Sequence, residues 1–263
     1  MSNLNLWRNN PMATQPLPRP TEPESAPRVT RPLLRVVVLN TKGGCGKTTL
    51  STNLAGYYAS HDFRTAILDM DPQGSSLRWL ANRGQKRAQI TGIQGTERGS
   101  RVTRSFQLRI PPGTERLIVD TPAGLEPMRL QDVTRGADAI LIPVLPSDID
   151  IHAASRCIAD LLIAGRIERR SDRVAVVANR VKKHTQMYDK LRRFLDTLEI
   201  PFVATFRDTQ NYIHASEQGV CVHELDARNA RADVREMDVL INWIENRQQQ
   251  VAPDAGNLSS GLL

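Results

Sequence analysis

The stretch Thr41-Lys42-Gly43-Gly44-Cys45-Gly46-Lys47-Thr48-Thr49 holds the densest chemistry in the chain. Closely spaced glycines let a backbone curl until successive N–H groups converge on one oxyanion. A helix beginning near Lys47 would add the positive end of its dipole. In that arrangement Gly43 to Gly46, Lys47, Thr48 and Thr49 form a phosphate cradle. Lys47 lies against the β- and γ-phosphates of a nucleotide, and the Thr48 hydroxyl ligates Mg²⁺. The strict form of such a loop has glycine where this chain has Thr41, and here a second lysine, Lys42, precedes the glycines.

Two aspartates follow at the ends of apolar runs. Asp71 lies in Ile67-Leu68-Asp69-Met70-Asp71-Pro72-Gln73-Gly74-Ser75, and Asp120 closes Leu117-Ile118-Val119-Asp120 before Thr121-Pro122-Ala123-Gly124. A hard Mg²⁺ ion prefers carboxylate, hydroxyl and water oxygens, so Thr48 and Asp120 are chemically matched as its holders. Asn179, at the end of Val176-Val177-Ala178, carries a paired donor and acceptor suited to the edge of a nucleobase.

The elements that must position these residues alternate. Apolar runs at Leu33–Leu39, Thr65–Leu68, Arg116–Val119, Ala139–Val144, Arg173–Ala178 and Phe202–Thr205 predict strands. Lys47–Ala59, Ile151–Ala164, His184–Leu198 and Ala230–Gln248 predict helices. The alternation implies an α/β fold: a doubly wound, mainly parallel sheet with helices on both faces. Ligands then bind at the carboxyl ends of the strands. Residues 1–32 hold 7 of the 16 prolines and read as a disordered tail, with Leu4, Leu6 and Trp7 a short candidate motif at its tip. The folded domain is expected over 33–250 and a flexible tail over 251–263.

Composition narrows the classes. The 263 residues carry 40% hydrophobic and 5% aromatic side chains, with no run long enough to span a membrane. The first residues lack the apolar core of a secretory signal. Cys45, Cys157 and Cys221 are far apart, without a paired spacing for a disulfide framework or structural zinc, and are expected as reduced thiols. The five histidines are scattered and offer no acid–base constellation.

The pattern Lys-Gly-Gly-x-Gly-Lys-Thr at Lys42–Thr48 resembles the deviant Walker A loop of the ParA/MinD family of ATPases, a branch of the P-loop NTPases. The Asp69–Ser75 and Leu117–Gly124 segments are similar to that family's second motif and Walker B strand. The likeness covers about residues 34–248. It implies ATP and Mg²⁺ as cofactors, and a homodimer sandwiching ATP, with Lys42 reaching the partner subunit's nucleotide. It gives Lys42, Lys47 and Asp71 the catalytic roles, Asp71 orienting the attacking water. Asn179 reads adenine, and 120–124 senses the γ-phosphate. The short 71–120 interval resembles compact ParA proteins without a helix-turn-helix domain.

The formal charge is +7, and Arg156–Arg193 alone holds eleven Lys and Arg against four acids. Such a density neutralises phosphates without reading bases. Arg166, Arg169, Arg170, Arg180, Lys182, Lys183, Arg192 and Arg193, with Arg228, Arg231 and Arg235 on the final helix, are the candidate DNA-binding residues. The resemblance implies a cytoplasmic, nucleoid-associated switch that binds nonspecific double-stranded DNA as an ATP dimer. It would position a cargo (a plasmid, a chromosome region or a protein complex such as a carboxysome) when a ParB-like or cargo-adaptor protein stimulates hydrolysis. The alternative is a MinD-like ATPase on a membrane or protein track. Val251–Leu263 lacks the basic face of a membrane helix, so no membrane partner is expected.

Overall fold

Val36 and Val38 face one side of the sheet while Val37 and Leu39 face the other, and all are buried, so both faces must be covered by helices. The computed structural model describes residues 31–95, 110–168, 172–182, 185–197 and 200–251. The strands are β1 (Leu34–Val38), β2 (Thr65–Asp69), β3 (Ile90–Gln94), β4 (Arg116–Asp120), β5 (Ala139–Val144), β6 (Val174–Val181) and β7 (Phe202–Arg207). They form one sheet in the order β3-β2-β4-β1-β5-β6-β7, and every pairing is parallel.

The helices are α1 (Lys47–Ser60), α2 (Ser75–Asn82), α3 (Pro127–Thr134), α4 (Asp148–Ile163), α5 (Gln186–Thr197), α6 (Asn211–Glu217) and α7 (Ala227–Val251), with a 3₁₀ turn at Val222–Glu224. Leu130 and Val133 of α3, Ile158 and Leu161 of α4, and Leu191 and Leu195 of α5 pack beneath Val37, Val119 and Ile142. On the other face Leu54 and Tyr58 of α1, Trp79 of α2, and Leu240 and Ile244 of α7 cover Val36, Ile118 and Val177. The doubly wound parallel sheet read from the alternation is therefore the fold.

Four elements lie outside the predicted set. β3 is an edge strand whose centre is Gly92; a Cβ there would lie 2.8 Å from the side chains of Leu77 and Leu80 on α2. Glycine lowers strand propensity but is what lets α2 approach so closely. α2, α3 and α6 have eight, eight and seven residues, too short for a decisive periodicity, and tertiary packing holds them. α4 starts three residues earlier than expected because Ser147 caps it, accepting from the Asp150 N–H at 3.2 Å, with Asp148 and Asp150 complementing the dipole.

Residues 1–30, including Leu4, Leu6 and Trp7, and 252–263 lie outside the described residues, as do Arg169, Arg170, Lys183, His184 and Leu198. Among the described residues no helix is long and apolar enough to cross a membrane.

Candidate functional site

β1 is central: the chain passes from it to β2 on one side and later crosses from β4 to β5 on its other side, so the sheet's switch point sits at its carboxyl end. The glycine-rich loop leaves β1 there. Gly44 and Gly46 take φ of +78° and +103°, in the left-handed region that glycine tolerates. The loop is braced at its base, where Asn40 Nδ2 donates to the Pro143 carbonyl at 2.8 Å and Asn40 Oδ1 accepts the Lys42 N–H at 3.0 Å. Lys47 is buried and its ammonium folds back across the loop to the Lys42 carbonyl, 3.0 Å away. The Lys42 side chain is half-buried and, among the described residues, its ammonium has no carboxylate partner.

In the parallel register Asp69 of β2 lies opposite Asp120 of β4, and Asp120 lies opposite Val38 of β1. Both carboxylates are thus delivered beside the loop, and both are buried. Asp120 accepts from Ser51 Oγ at 3.2 Å on one oxygen and from the Ser76 hydroxyl on the other, with the Thr48 hydroxyl also in reach. Burial pushes its pKa up to about 6 against those three hydroxyls, and the Asp69 charge pushes the same way. Asp69 accepts three backbone N–H groups: Asp71 at 3.0 Å, Ser76 at 3.0 Å and Leu77 at 3.1 Å. It thereby caps α2 and sets the path of the segment carrying Asp71. Asp71 itself is half-buried and accepts the Gln73 N–H at 2.9 Å.

Sequence reasoning missed Asp69, Ser51 and Ser76 as organisers of this centre. Asp69 stands two residues from Asp71 in the quoted motif, and that spacing was the only available signal; the serines carried none. It also missed Asp150, which is buried with one carboxylate oxygen unpartnered among the described residues and whose charge reaches Cys45. Burial, above all, pushes the Cys45 thiol up. The segment after Asp120 rests on the loop, since Gly124 N–H donates to the Thr41 carbonyl at 2.9 Å and Thr121 Oγ1 to Val38 at 2.9 Å.

Asn179 is at the same end, on β6. Its Nδ2 donates to the Cys45 carbonyl at 2.9 Å and its Oδ1 accepts the Arg180 N–H at 2.9 Å, so its amide braces the glycine loop. Beyond it opens a cleft of about 360 Å³ lined by Thr49, Asn179, Arg180, Arg207, Thr209 and Tyr212, among others. The Tyr212 hydroxyl is buried and, among the described residues, has no hydrogen-bond partner. Arg207 is pinned by Asp233, at 2.5 and 2.9 Å, and Asp233 is itself wholly buried. None of Arg207, Tyr212 or Asp233 belonged to the expected set; β7, α6 and α7 bring them in.

Among the described residues, the candidate DNA-binding side chains do not form one patch. β6 has eight residues, about 26 Å of extended chain, and it separates them. Arg166 precedes its amino end, while Arg180 and Lys182 stand at its carboxyl end, with Lys182 3.9 Å from Asp208. Arg192 and Arg193 are exposed along α5. Arg228, Arg231 and Arg235 are exposed on the first turns of α7, and Arg228 pairs with Asp226 at 3.1 Å.

The donor set fits a hard cation beside bound phosphates: one buried carboxylate ringed by hydroxyls, next to a loop of inward N–H groups. Among the described residues no cluster of three or more His, Cys, Asp or Glu could hold a metal alone. Any ion here would therefore share its coordination with a ligand's oxygens and water.

Residues 36–222 match the family model described as the CobQ/CobB/MinD/ParA nucleotide binding domain. The chain is 29% identical over 210 residues to the maintenance of carboxysome distribution protein A of Halothiobacillus neapolitanus, covering 80% of this chain and 95% of that one. Among solved structures it is similar to a plasmid partition protein of Borrelia burgdorferi bound to AMPPNP, with a TM-score of 0.63 and 13% identity over 80% of this chain and 99% of the other. It is similar also to a Cyanothece McdA variant in complex with ATP, with a TM-score of 0.61 and 14% identity over 83% and 97%. At those identities the structural likeness speaks for the fold.

Proposed function

The chain belongs to the CobQ/CobB/MinD/ParA family of nucleotide-binding domains, and from that premise we propose that it is an ATP-hydrolysing, dimerising switch that positions a cargo along DNA. The observation that carries this reading is Lys47 folded into the Lys42–Thr48 loop beside the buried Asp120 and the Asp69-braced Asp71 segment. The loop's N–H groups and Lys47 bind the β- and γ-phosphates of ATP. Thr48 and Asp120 hold Mg²⁺, which supplies charge neutralisation on the phosphates when bound. Asp71 orients the attacking water, and Lys42, without an acidic partner among the described residues of its own subunit, crosses to the nucleotide of a second copy. The 360 Å³ cleft takes the nucleoside, its base against Tyr212 and Thr49. Because Asn179 already bonds Cys45 and Arg180, reading adenine would require it to exchange one of those bonds.

Dimer closure doubles the exposed cations at the carboxyl end, Arg180 of β6, Lys182 just after it, and Arg231 and Arg235 of α7 among them, and so raises affinity for nonspecific double-stranded DNA. The working domain is residues 33–250, cytoplasmic and nucleoid-bound. The name of the Halothiobacillus relative puts a carboxysome-like protein assembly first among cargoes, reached through an adaptor protein that stimulates hydrolysis.

The test is Asp71→Ala with MgATP, followed by light scattering and by DNA retention across a salt series. A stable dimer held on DNA, with hydrolysis down about a hundredfold, is the expected result. A variant that stays monomeric with ATP overturns the mechanism. A dimer that ignores DNA moves the switch to a membrane or protein track.

A further inference from the structure

At the opposite end of the sheet a pocket of about 180 Å³ opens between the connections leading into β5 and β6. Its lining includes Arg135, Arg166 and Arg173, with Gln131 and the glycines Gly136 and Gly165 between them. The six residues of β5, about 20 Å, separate it from the nucleotide loop, so it lies beyond the function proposed above.

Three carboxylates near it are engaged elsewhere or weakly. Asp138 accepts the Arg35 N–H at 2.7 Å, and Asp172 pairs with Arg247 at 3.3 Å. Asp132 lies 3.4 Å from the Arg135 guanidinium in an exposed position, where such a pair holds little. Among the described residues Arg166 has no hydrogen-bond or ion-pair partner for its guanidinium. A cation near the carboxyl ends of α3 and α4 could serve only to complement their dipoles. At α3, however, Arg35 already does so, donating to the Arg135 carbonyl at 2.8 Å and the Val133 carbonyl at 3.0 Å.

The backbone at Arg166 adds an independent observation. α4 ends in a tight turn in which Gly165 N–H bonds Asp160 at 3.1 Å and Ile167 N–H bonds Leu161 at 3.4 Å. A Cβ at Gly165 would lie 2.4 Å from the Leu161 carbonyl oxygen, so only glycine fits there. The next residue carries the left-handed conformation, φ +52°, and it is Arg166. Glycine is the unstrained choice at this position of a helix end. A long cationic side chain kept there despite the strain, at the rim of an arginine-lined pocket, points to a ligand.

We propose that this pocket binds one phosphate group, supplied either by inorganic phosphate or by the backbone of a nucleic acid. A tetrahedral oxyanion offers acceptors to guanidinium groups approaching from several sides, which a single carboxylate does less well.

Arg166→Gly removes the guanidinium and relieves the left-handed strain, so the fold is kept or strengthened and lost binding cannot be blamed on unfolding. Arginine Nε–H signals of the full-length protein, with MgADP filling the nucleotide loop, would be followed by NMR during titration with inorganic phosphate and separately with a DNA duplex. The expected result is a phosphate-dependent shift of the Arg166 and Arg135 signals, weakened about tenfold for Arg135 in Arg166→Gly, with Arg135→Gln weakening the Arg166 shift likewise. Shifts produced by the duplex alone support the pocket with backbone phosphate as its source. No shift with either ligand, alongside a raised Tm for Arg166→Gly, overturns the proposal and leaves these arginines as helix-end cations.

Discussion

The centre beside the glycine loop and the far end of the sheet handle charge differently. Beside the loop, buried carboxylates are satisfied by neutral donors: Asp69 by three backbone N–H groups, Asp120 by serine hydroxyls. Towards the amino ends two guanidiniums divide. Arg83, in the connection leading to β3, is locked to Glu224 by two bonds of 2.8 and 2.7 Å, with side chains 4% and 7% exposed. Arg166 is exposed and has no partner among the described residues. Neutral donors around a carboxylate leave its charge available to a cation and phosphates, whereas a carboxylate around a guanidinium neutralises it. Paired arginines of this kind hold the fold; unpaired ones are the candidates for binding.

The largest effect should come from breaking that pair. Arg83→Ala leaves Glu224 buried and unpaired and is expected to reduce stability by about 4 kcal/mol at neutral pH, read from urea denaturation. Burial alone would raise the Glu224 pKa, but hydrogen bonds from Arg83 and the Cys221 N–H outweigh it and hold the carboxyl below its ordinary value. The stabilisation is therefore present above the unfolded-state pKa of glutamate and is lost as pH falls through the lower folded-state pKa. Stability of the wild type should drop across that acidic window, and Arg83→Ala should flatten the drop. An unchanged pH profile would place the pair among weak surface contacts and erase the distinction from Arg166.

At the carboxyl end the strongest break is Gly46→Ala. A Cβ there would lie 2.0 Å from Asn179 Nδ2, at a φ of +103°, so the loop loses both its conformation and its Asn179 brace. We expect a loss of about 3 kcal/mol by thermal denaturation, with nucleotide binding abolished. The mildest is Ser76→Ala, which deletes the hydroxyl on Asp120 and leaves the Asp69 bond to the Ser76 N–H intact. Stability should fall by about 1 kcal/mol, and the Mg²⁺ dependence of nucleotide affinity should weaken severalfold, as titration calorimetry with and without the ion would read. A neutral result for both properties would remove Ser76 from the centre.

Much of this was legible beforehand because it is local. Lys42, Lys47 and Thr48 fall on one loop, and the apolar runs that end at Asp120 and Asn179 are buried strands whose ends a parallel sheet must gather. What escaped was held by contacts distant in sequence. Ser76 meets Asp120 across 44 positions, Asn179 meets Cys45 across 134, and Asp233 on α7 reaches Arg207 on β7 across 26. β3 escaped for a related reason: Gly92 weakens the strand pattern and is explained only by Leu77 and Leu80 of α2 above it.

The amino-acid sequence by itself determined six of the seven strands and the long helices between them, the glycine loop with its two lysines, and the carboxylates at the strand ends. Those depend on propensity, periodicity and residues adjacent in the chain. The fate of the basic charge was decided only by the tertiary structure. Eleven Lys and Arg between Arg156 and Arg193 look continuous on paper, yet β6 carries the chain from one end of the sheet to the other within that run. An extended strand spans about 3.3 Å per residue, so neighbours in a charge count become groups on opposite ends of the domain.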